Sequence, residues 1–121
     1  MRVWADNWQI TMADCVLCKI ASGQELAKVV WENSEFVCLE NKYPRAPTHV
    51  LVMPKAHIDK EQVRNNILPG FHEKMMSAVF ETVRYLGLDA KGYRLINNGA
   101  GYNHFEHEHW HILSGLKEKQ E

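Results

Sequence analysis

The chain has 121 residues, a formal net charge of −1, 45% apolar residues and 24% charged residues. This composition is typical of one globular domain, and without an excess of basic residues it argues against a nucleic-acid partner held through a basic surface. No apolar run approaches the roughly 18 residues of a membrane helix, and Asp6 and Asp14 stand where a signal peptide would be apolar, so we expect a cytoplasmic protein with no membrane partner.

The N-terminal segment contains a possible second start, Met12-Ala13-Asp14. We therefore divide the chain into an N-terminal arm, residues 1–13, and a single domain, residues 14–121. Asp14 predicts the N-cap of a short helix over Cys15–Ser22, and Gly23 predicts its end.

Two of the three cysteines, Cys15 and Cys18, form a C-x-x-C pair on one face of this helix. An odd number of cysteines is typical of a reducing compartment, where such a pair binds metal or carries out redox chemistry rather than forming a structural disulfide. The spacing suits zinc, although two ordinary buried thiols would give the same pattern.

The next part of the chain predicts antiparallel strands. Lys28–Glu32 and Glu35–Glu40 form a predicted β-hairpin joined across Asn33-Ser34. His49–Met53 is a further predicted strand, which Pro54 ends.

A long amphipathic helix is predicted after these strands, because Phe71, Met75, Val79 and Val83 recur every four residues before Gly87. The stripe formed by these side chains is expected to face the core.

Two more strands are predicted, over Gly92–Asn97 and over Glu106–Leu113, with a turn rich in glycine and asparagine between them. The predicted fold class is therefore α+β, with an antiparallel sheet of about five strands, one short N-terminal helix and one long helix.

The last predicted strand has a histidine at every second position, His107, His109 and His111. Alternate residues of a strand share one face, so these side chains would lie along about 13 Å of it. They could form a solvated face, hold a catalytic metal, or combine a nucleophilic imidazole with neighbours that bind the anion it attacks. A shared metal fits less well, because the third histidine would lie about 6.6 Å beyond its neighbour.

The segment V-C-L-E-N-x-x-P-x-A-P-T-H-V-L-V-M-P-K-x-H, from Val37 to His57, is followed downstream by N-N-G and by H-x-H-x-H. This pattern resembles the histidine-triad (HIT) superfamily over Asp14 to Gly115. With histidine at position 111, it is most similar to the small nucleotide-binding branch rather than to the nucleotidyltransferases. The resemblance implies a homodimer that pairs through the long helix and the edge of the sheet.

The resemblance also implies an enzyme. His109 would attack the α-phosphorus of a nucleoside 5′-phosphoramidate or an aminoacyl-adenylate, forming a covalent nucleotidyl-histidine that water then hydrolyses. His111 would donate to the phosphate or to the leaving group. A dinucleoside polyphosphate hydrolase is one alternative, and a nucleotide-binding regulatory module with incidental hydrolysis is another.

A purine nucleotide such as AMP is the implied ligand, with apolar side chains around the base, an amide near the ribose and backbone N–H groups near the phosphate. The corresponding positions are Val16, Leu17, Ile20, Leu39, Asn41, Asn97, Gly101 and Asn103. Packing in the core would account equally well for each apolar residue alone.

Some bacterial members of the superfamily complete a zinc site with two histidines, which correspond to His49 and His107. The resemblance therefore implies a structural Zn²⁺ bound by Cys15, Cys18, His49 and His107, which leaves the other two triad histidines for chemistry. His49 could instead belong to the hydrogen-bond network of the active site.

Four side chains depart from the pattern of the superfamily, one of them His104, which stands near the place of a serine. Asn41 replaces an aspartate, Asn103 stands near the place of a glutamine, and Glu108 occupies a position that is normally apolar. A carboxylate there has to be exposed or paired with a base such as Lys117 or Arg94, because an unpaired buried charge is costly.

Overall fold

The computed structural model describes residues 15–24, 26–103 and 106–116. The predicted arm, residues 1–13, and the predicted N-cap Asp14 lie outside these ranges. The helices and strands are α1 Val16–Ala21, β1 Val29–Glu32, β2 Phe36–Glu40, β3 Thr48–Pro54, α2 Lys60–Arg64, α3 Phe71–Tyr85, β4 Arg94–Ile96 and β5 Trp110–Ser114.

The strands form one antiparallel sheet of five strands in the order β1-β2-β3-β5-β4. The α+β class predicted from the sequence is thereby confirmed. The hairpin between β1 and β2 turns at Asn33, whose side-chain oxygen accepts from the backbone N–H groups of Glu35 and Phe36 at 2.9 and 2.7 Å. An asparagine that accepts from the backbone two residues further on is a common way of closing a tight turn.

The long helix α3 packs on one face of the sheet. Its apolar stripe meets alternate side chains of the central strands, because successive residues of a strand point to opposite faces. This core contains Phe36, Cys38, Val50, Val52, Phe71, Met75, Ala78, Val79, Val83, Leu88 and Ile112. The helix ends before Gly87, which adopts the left-handed conformation at φ 68°, as predicted from the sequence.

The short helix α1 contributes to a second core that uses the alternate residues of the same strands. Val37 and Leu39 of β2 and Met53 of β3 pack in it with Leu17. The helix begins at Val16, and its N-cap is Cys15, whose sulfur accepts from the backbone N–H of Cys18 at 3.3 Å. The sheet therefore lies between two apolar layers, and α1 is held against it.

Helix α2 was not predicted from the sequence. Asp59 caps it through a reciprocal capping box, in which the Asp59 carboxylate accepts from the Gln62 N–H and the Gln62 side chain accepts from the Asp59 N–H, both at 2.9 Å. A helix of five residues with none of them buried leaves no apolar periodicity, so the D-x-x-Q cap was its only signal in the sequence.

The last strand begins later than predicted, at Trp110 rather than Glu106. Its pairing with β3 starts at Val52 opposite Trp110. Just upstream, the backbone leaves the ladder, and the N–H of Glu108 donates to the carbonyl of Ile58 at 2.6 Å. Within the described part of the chain, the helices are all too short or too polar to cross a membrane.

Candidate active site and candidate metal site

The three alternating histidines lie in different surroundings. Of the three, only His111 belongs to a strand, so the prediction that they line one strand face is wrong. The rings of His109 and His111 do lie side by side, with centroids 5.1 Å apart in an edge-to-face arrangement. The ring of His107 is directed to Cys15 and Cys18 instead.

His109 is held in one tautomer. Its Nδ1 lies 2.7 Å from the carbonyl oxygen of His107, and because a carbonyl can only accept, Nδ1 carries the proton. The lone pair of the neutral ring is then on Nε2. His109 is 5% exposed, and burial lowers its pKa, which favours the neutral form. A neutral imidazole with a fixed lone pair is the form that acts as a nucleophile.

His111 is hydrogen-bonded to His49, with His49 Nε2 2.9 Å from His111 Nδ1. The N–H of Arg45 donates to His49 Nδ1 at 3.1 Å, so neutral His49 carries its proton on Nε2. Burial, and then the charge of Arg45, lower the pKa of His49 and favour this neutral form. His49 therefore donates to His111 Nδ1, and His111 in turn carries its proton on Nε2.

Asn41 lies beside this histidine pair. Its Nδ2 is 3.2 Å from His49 Nε2, while its Oδ1 accepts from the N–H of Tyr43 at 2.8 Å. Asn41 Nδ2 and His49 Nε2 both carry protons, so they do not hydrogen-bond to each other. The N–H of His49 is therefore directed to His111 Nδ1, which is the closer of the two atoms. Asn41 thus shapes the turn after β2 as well as the edge of the candidate site.

A candidate metal-binding cluster is formed by Cys15, Cys18, His57 and His107, whose possible ligand atoms all lie within 4.8 Å of one another. Cys18 Sγ lies 3.0 Å from His57 Nδ1 and 3.3 Å from His107 Nδ1. Cys15 Sγ lies 3.5 Å from His107 Nδ1. Two thiols and two imidazoles in one cluster are a donor set that fits a closed metal site.

The protonation of the cluster also suits a metal. His107 Nε2 lies 2.7 Å from the carbonyl oxygen of Pro54, so Nε2 carries the proton and Nδ1 offers a lone pair to the cluster. The hydrogen bond from Cys18 lowers the pKa of the Cys15 thiol, and the same interaction raises the pKa of Cys18.

His49 is not part of this cluster, and the ligand set expected from the resemblance needs a correction. The structure brings His57 to the cysteines, where the resemblance implied His49. His49 instead lies in the hydrogen-bond network of His111, the alternative left open by the sequence. A metal shared by all three triad histidines does not fit either, because His107 directs Nδ1 to the sulfurs and Nε2 to Pro54.

The apolar residues expected around the base divide into two groups. Leu17 and Leu39 are 2% and 1% exposed and pack in the core beneath α1. Val16 and Ile20 are only partly buried at its margin. The latter two are the ones with surface left to offer a ligand.

The polar residues expected around the phosphate lie along the turn between β4 and β5. Gly101 is exposed, with a φ of 93°. The Asn103 amide donates to Glu106 at 3.2 Å. Asn97 donates to the carbonyl oxygen of His109 and to Glu108, both at 3.0 Å, so its amide is engaged by the protein itself.

Glu108 is buried, and its partner was not identified from the sequence. Its carboxylate forms an ion pair with Lys60 at 2.8 Å, while its side chain is 4% exposed. The sequence required a base for a buried carboxylate, but suggested Arg94 or Lys117, the second of which lies outside the described residues. Because 48 residues separate Glu108 from Lys60, only the fold brings them together.

The sequence and the fold match known proteins. The HIT domain family model matches residues 22–118, and the chain therefore belongs to the HIT domain family. It is 39% identical over 102 residues to an uncharacterised HIT-like protein of Helicobacter pylori, covering 82% of this chain and 94% of that protein.

Solved structures show the same relationship. A histidine triad protein from Clostridium difficile superimposes with a TM-score of 0.74 at 30% identity, covering 89% of this chain and 96% of its own. A HIT family hydrolase from Clostridium thermocellum superimposes with a TM-score of 0.76 at 28% identity, with the same coverage. Membership of the family, predicted from the triad, is confirmed.

Proposed function

We propose that the protein is a hydrolase that cleaves nucleoside 5′-phosphoramidates or aminoacyl-adenylates and binds a purine nucleotide such as AMP. The observation that carries this proposal is the 2.7 Å contact between His109 Nδ1 and the His107 carbonyl, which fixes the lone pair of the neutral ring on Nε2. The similarity to the HIT family hydrolase from Clostridium thermocellum supports the same class.

In the first step, His109 Nε2 attacks the α-phosphorus and forms a phosphorus–nitrogen bond. The bond between phosphorus and the leaving group breaks, and its electron pair leaves with that group. The Nε2–H of His111 is proposed to donate to the phosphate or to the departing atom, stabilising the charge that develops there. The tautomer that His49 imposes on His111 supports this role.

In the second step, water attacks the nucleotidyl-histidine. The phosphorus–nitrogen bond breaks and its electron pair returns to Nε2 of His109, which is again neutral. The water gives up one proton to His111, replacing a proton given to the leaving group, or to solvent, and the nucleoside monophosphate is released. Val16 and Ile20 are the proposed contacts to the base, with Asn41 near the ribose and Gly101 and Asn103 near the phosphate.

We further propose that the metal-binding cluster holds Zn²⁺. Two cysteines and two histidines are the composition of a structural zinc site. The metal would fasten α1 to the segments that carry His57 and His107, with no part in the chemistry at His109. A reducing, cytoplasmic location fits the three free cysteines.

A homodimer through α3 and the sheet edge is part of the proposal. Phe80 and Tyr85 of α3 are 41% and 64% exposed, although most of the apolar residues of this helix are buried. Apolar surface of this kind is what a second subunit would cover. Sedimentation of the purified protein would measure the mass of the assembly.

The test is steady-state hydrolysis of adenosine 5′-phosphoramidate by the wild type and by His109→Asn. We expect turnover by the wild type and a loss of several orders of magnitude in the folded variant. Tight AMP binding without turnover by the wild type would favour the regulatory module instead. Faster cleavage of a diadenosine polyphosphate would reassign the substrate class.

A further inference from the structure

Lys60, Asn97 and Glu108 form a polar cluster, mostly buried, beside the candidate nucleophile. Lys60 Nζ lies 2.8 and 3.0 Å from the two carboxylate oxygens of Glu108, and it donates to Asn97 Oδ1 at 2.6 Å. The side chains of Lys60 and Glu108 are 21% and 4% exposed. The carboxylate is thus buried and paired with the ammonium group of Lys60. Removing either partner would leave the other as an unpaired buried charge, which is costly.

The ion pair fixes the orientation of the Asn97 amide. An amide oxygen only accepts and an amide nitrogen only donates. Lys60 supplies a donor at Oδ1, and Glu108 supplies an acceptor at Nδ2, 3.0 Å away. A rotation of the amide by half a turn would place two donors together and two acceptors together, so one orientation is selected.

In this orientation, the amide reaches the main chain of the nucleophile. Nδ2 of Asn97 also donates to the carbonyl oxygen of His109 at 3.0 Å. Strand β4 ends at Ile96, which pairs with His111, so the His109 carbonyl lies beyond the last pair of this ladder. The Asn97 side chain thus supplies a donor to this carbonyl where the pairing of β4 with β5 has already ended.

We propose that Lys60 and Glu108 are positioning residues, an ion pair that orients Asn97 and so holds the main chain and ring of His109 in line for attack. His109 is then fixed at its carbonyl by Asn97 and at Nδ1 by the His107 carbonyl. The kinetic part of this inference rests on the proposed function, whereas the geometric part does not. A misplaced nucleophile lowers the rate of attack rather than the affinity for substrate.

Four variants test the pair. Lys60→Met and Glu108→Gln each remove one charge of the ion pair. The double variant Lys60→Met/Glu108→Leu removes both charges, so it leaves no unpaired buried charge that could prevent folding. Lys74→Met is the matched control, because Lys74 pairs with Glu35 at 3.3 Å on the surface. We expect each single variant to lose at least tenfold in kcat, with KM within twofold of the wild type. The double variant should lose no more than the poorer single, and the control should match the wild type.

A second measurement reports on the His109 ring and does not require turnover. The imidazole ¹⁵N shifts of His109, followed by long-range heteronuclear NMR, should show one Nδ1–H tautomer in the wild type and a mixture in both single variants. If the wild type does not hydrolyse the phosphoramidate, the proposed function fails, and these spectra alone decide the positioning role. An unchanged His109 spectrum in both folded single variants would overturn that role.

Discussion

The Nε2 atom of His49 lies 2.9 Å from the Nδ1 atom of His111, although the two residues are 62 positions apart. The pairing of β3 with β5 brings them together, with His49 opposite Leu113 and Leu51 opposite His111. This hydrogen bond selects the tautomer of His111 from outside the triad. His49 therefore belongs with the candidate active site rather than with the metal-binding cluster.

Replacing His49 by phenylalanine removes the donor to His111 Nδ1 and keeps an aromatic ring in the same place. We expect kcat to fall at least tenfold, because neutral His111 can then carry its proton on either nitrogen. Steady-state hydrolysis of the phosphoramidate measures the effect. His72→Phe, at an exposed position of α3, serves as the matched control. Equal activity of His49→Phe and His72→Phe would contradict the assigned role.

The stability of the protein should fall on acidification. The pKa of His49 is lowered in the folded protein, first by burial and then by the charge of Arg45, whereas an unfolded histidine titrates near about 6.5. The unfolded chain therefore binds more protons as the pH falls below that value. The stabilising contribution of neutral His49 is complete above the unfolded pKa and is lost as the pH falls through the folded pKa.

Guanidinium unfolding between pH 7.5 and pH 5 measures this effect. The free energy of unfolding should decrease towards pH 5 in the wild type and decrease less steeply in His49→Gln. Comparing the two proteins cancels contributions that they share, including those of the metal-binding cluster. Parallel curves for the two proteins would show that His49 is not perturbed by folding.

The metal content should show whether His57 or His49 supplies the fourth ligand. We expect one zinc per chain in the wild type and in His49→Gln, and a strongly reduced content in His57→Ala and Cys18→Ser. The structure places His57 Nδ1 3.0 Å from Cys18 Sγ, and a structural site needs all four ligands. Elemental analysis after purification without added chelator gives the stoichiometry. Full zinc in His57→Ala with none in His49→Gln would restore the original assignment.

Gly115 follows β5 in a conformation that side chains rarely adopt, with φ 85°, and an added Cβ would meet Pro47 Cγ at 3.0 Å. Gly115→Ala should destabilise the protein by more than about 1 kcal/mol, because it combines backbone strain with this contact. Gly23→Ala is the matched control, since Gly23 has the same φ of 85° and nothing within 4 Å of the added atom. Chemical denaturation should show the larger loss for Gly115→Ala, and equal losses would exclude a role for Pro47.

The helices and strands that have a clear apolar repeat or a turn residue at their ends were predictable from the sequence. The apolar stripe of α3 before Gly87 and the turn at Asn33 are local signals, and both elements formed as predicted. The short helix α2 and the late start of β5 were missed, because neither leaves an apolar repeat. Alternation alone indicated three histidines on one face, whereas the backbone before Trp110 leaves the ladder.

The types of residue in the site could be predicted from the sequence, whereas the partner of each residue could be predicted only in part. That Glu108 needed a base followed from the cost of burying a charge. That the base is Lys60 depends on where α2 lies against the turn after β4. His49 and His57 both occur in the motif. The register of β3 against β5 places His49 beside His111, whereas His57 lies beyond the end of β3 and contacts Cys18.

His107 serves two neighbours at once, since its ring faces the cysteines while its carbonyl oxygen receives the proton of His109 Nδ1. A substitution there removes the ring from the cluster and, by freeing the backbone that the ring holds, also affects the carbonyl that contacts His109, so its phenotype assigns neither role. Position 107 is therefore a poor place to begin mutagenesis. The peripheral residues, His57 on one side and Asn97 on the other, allow the two halves of the site to be perturbed one at a time.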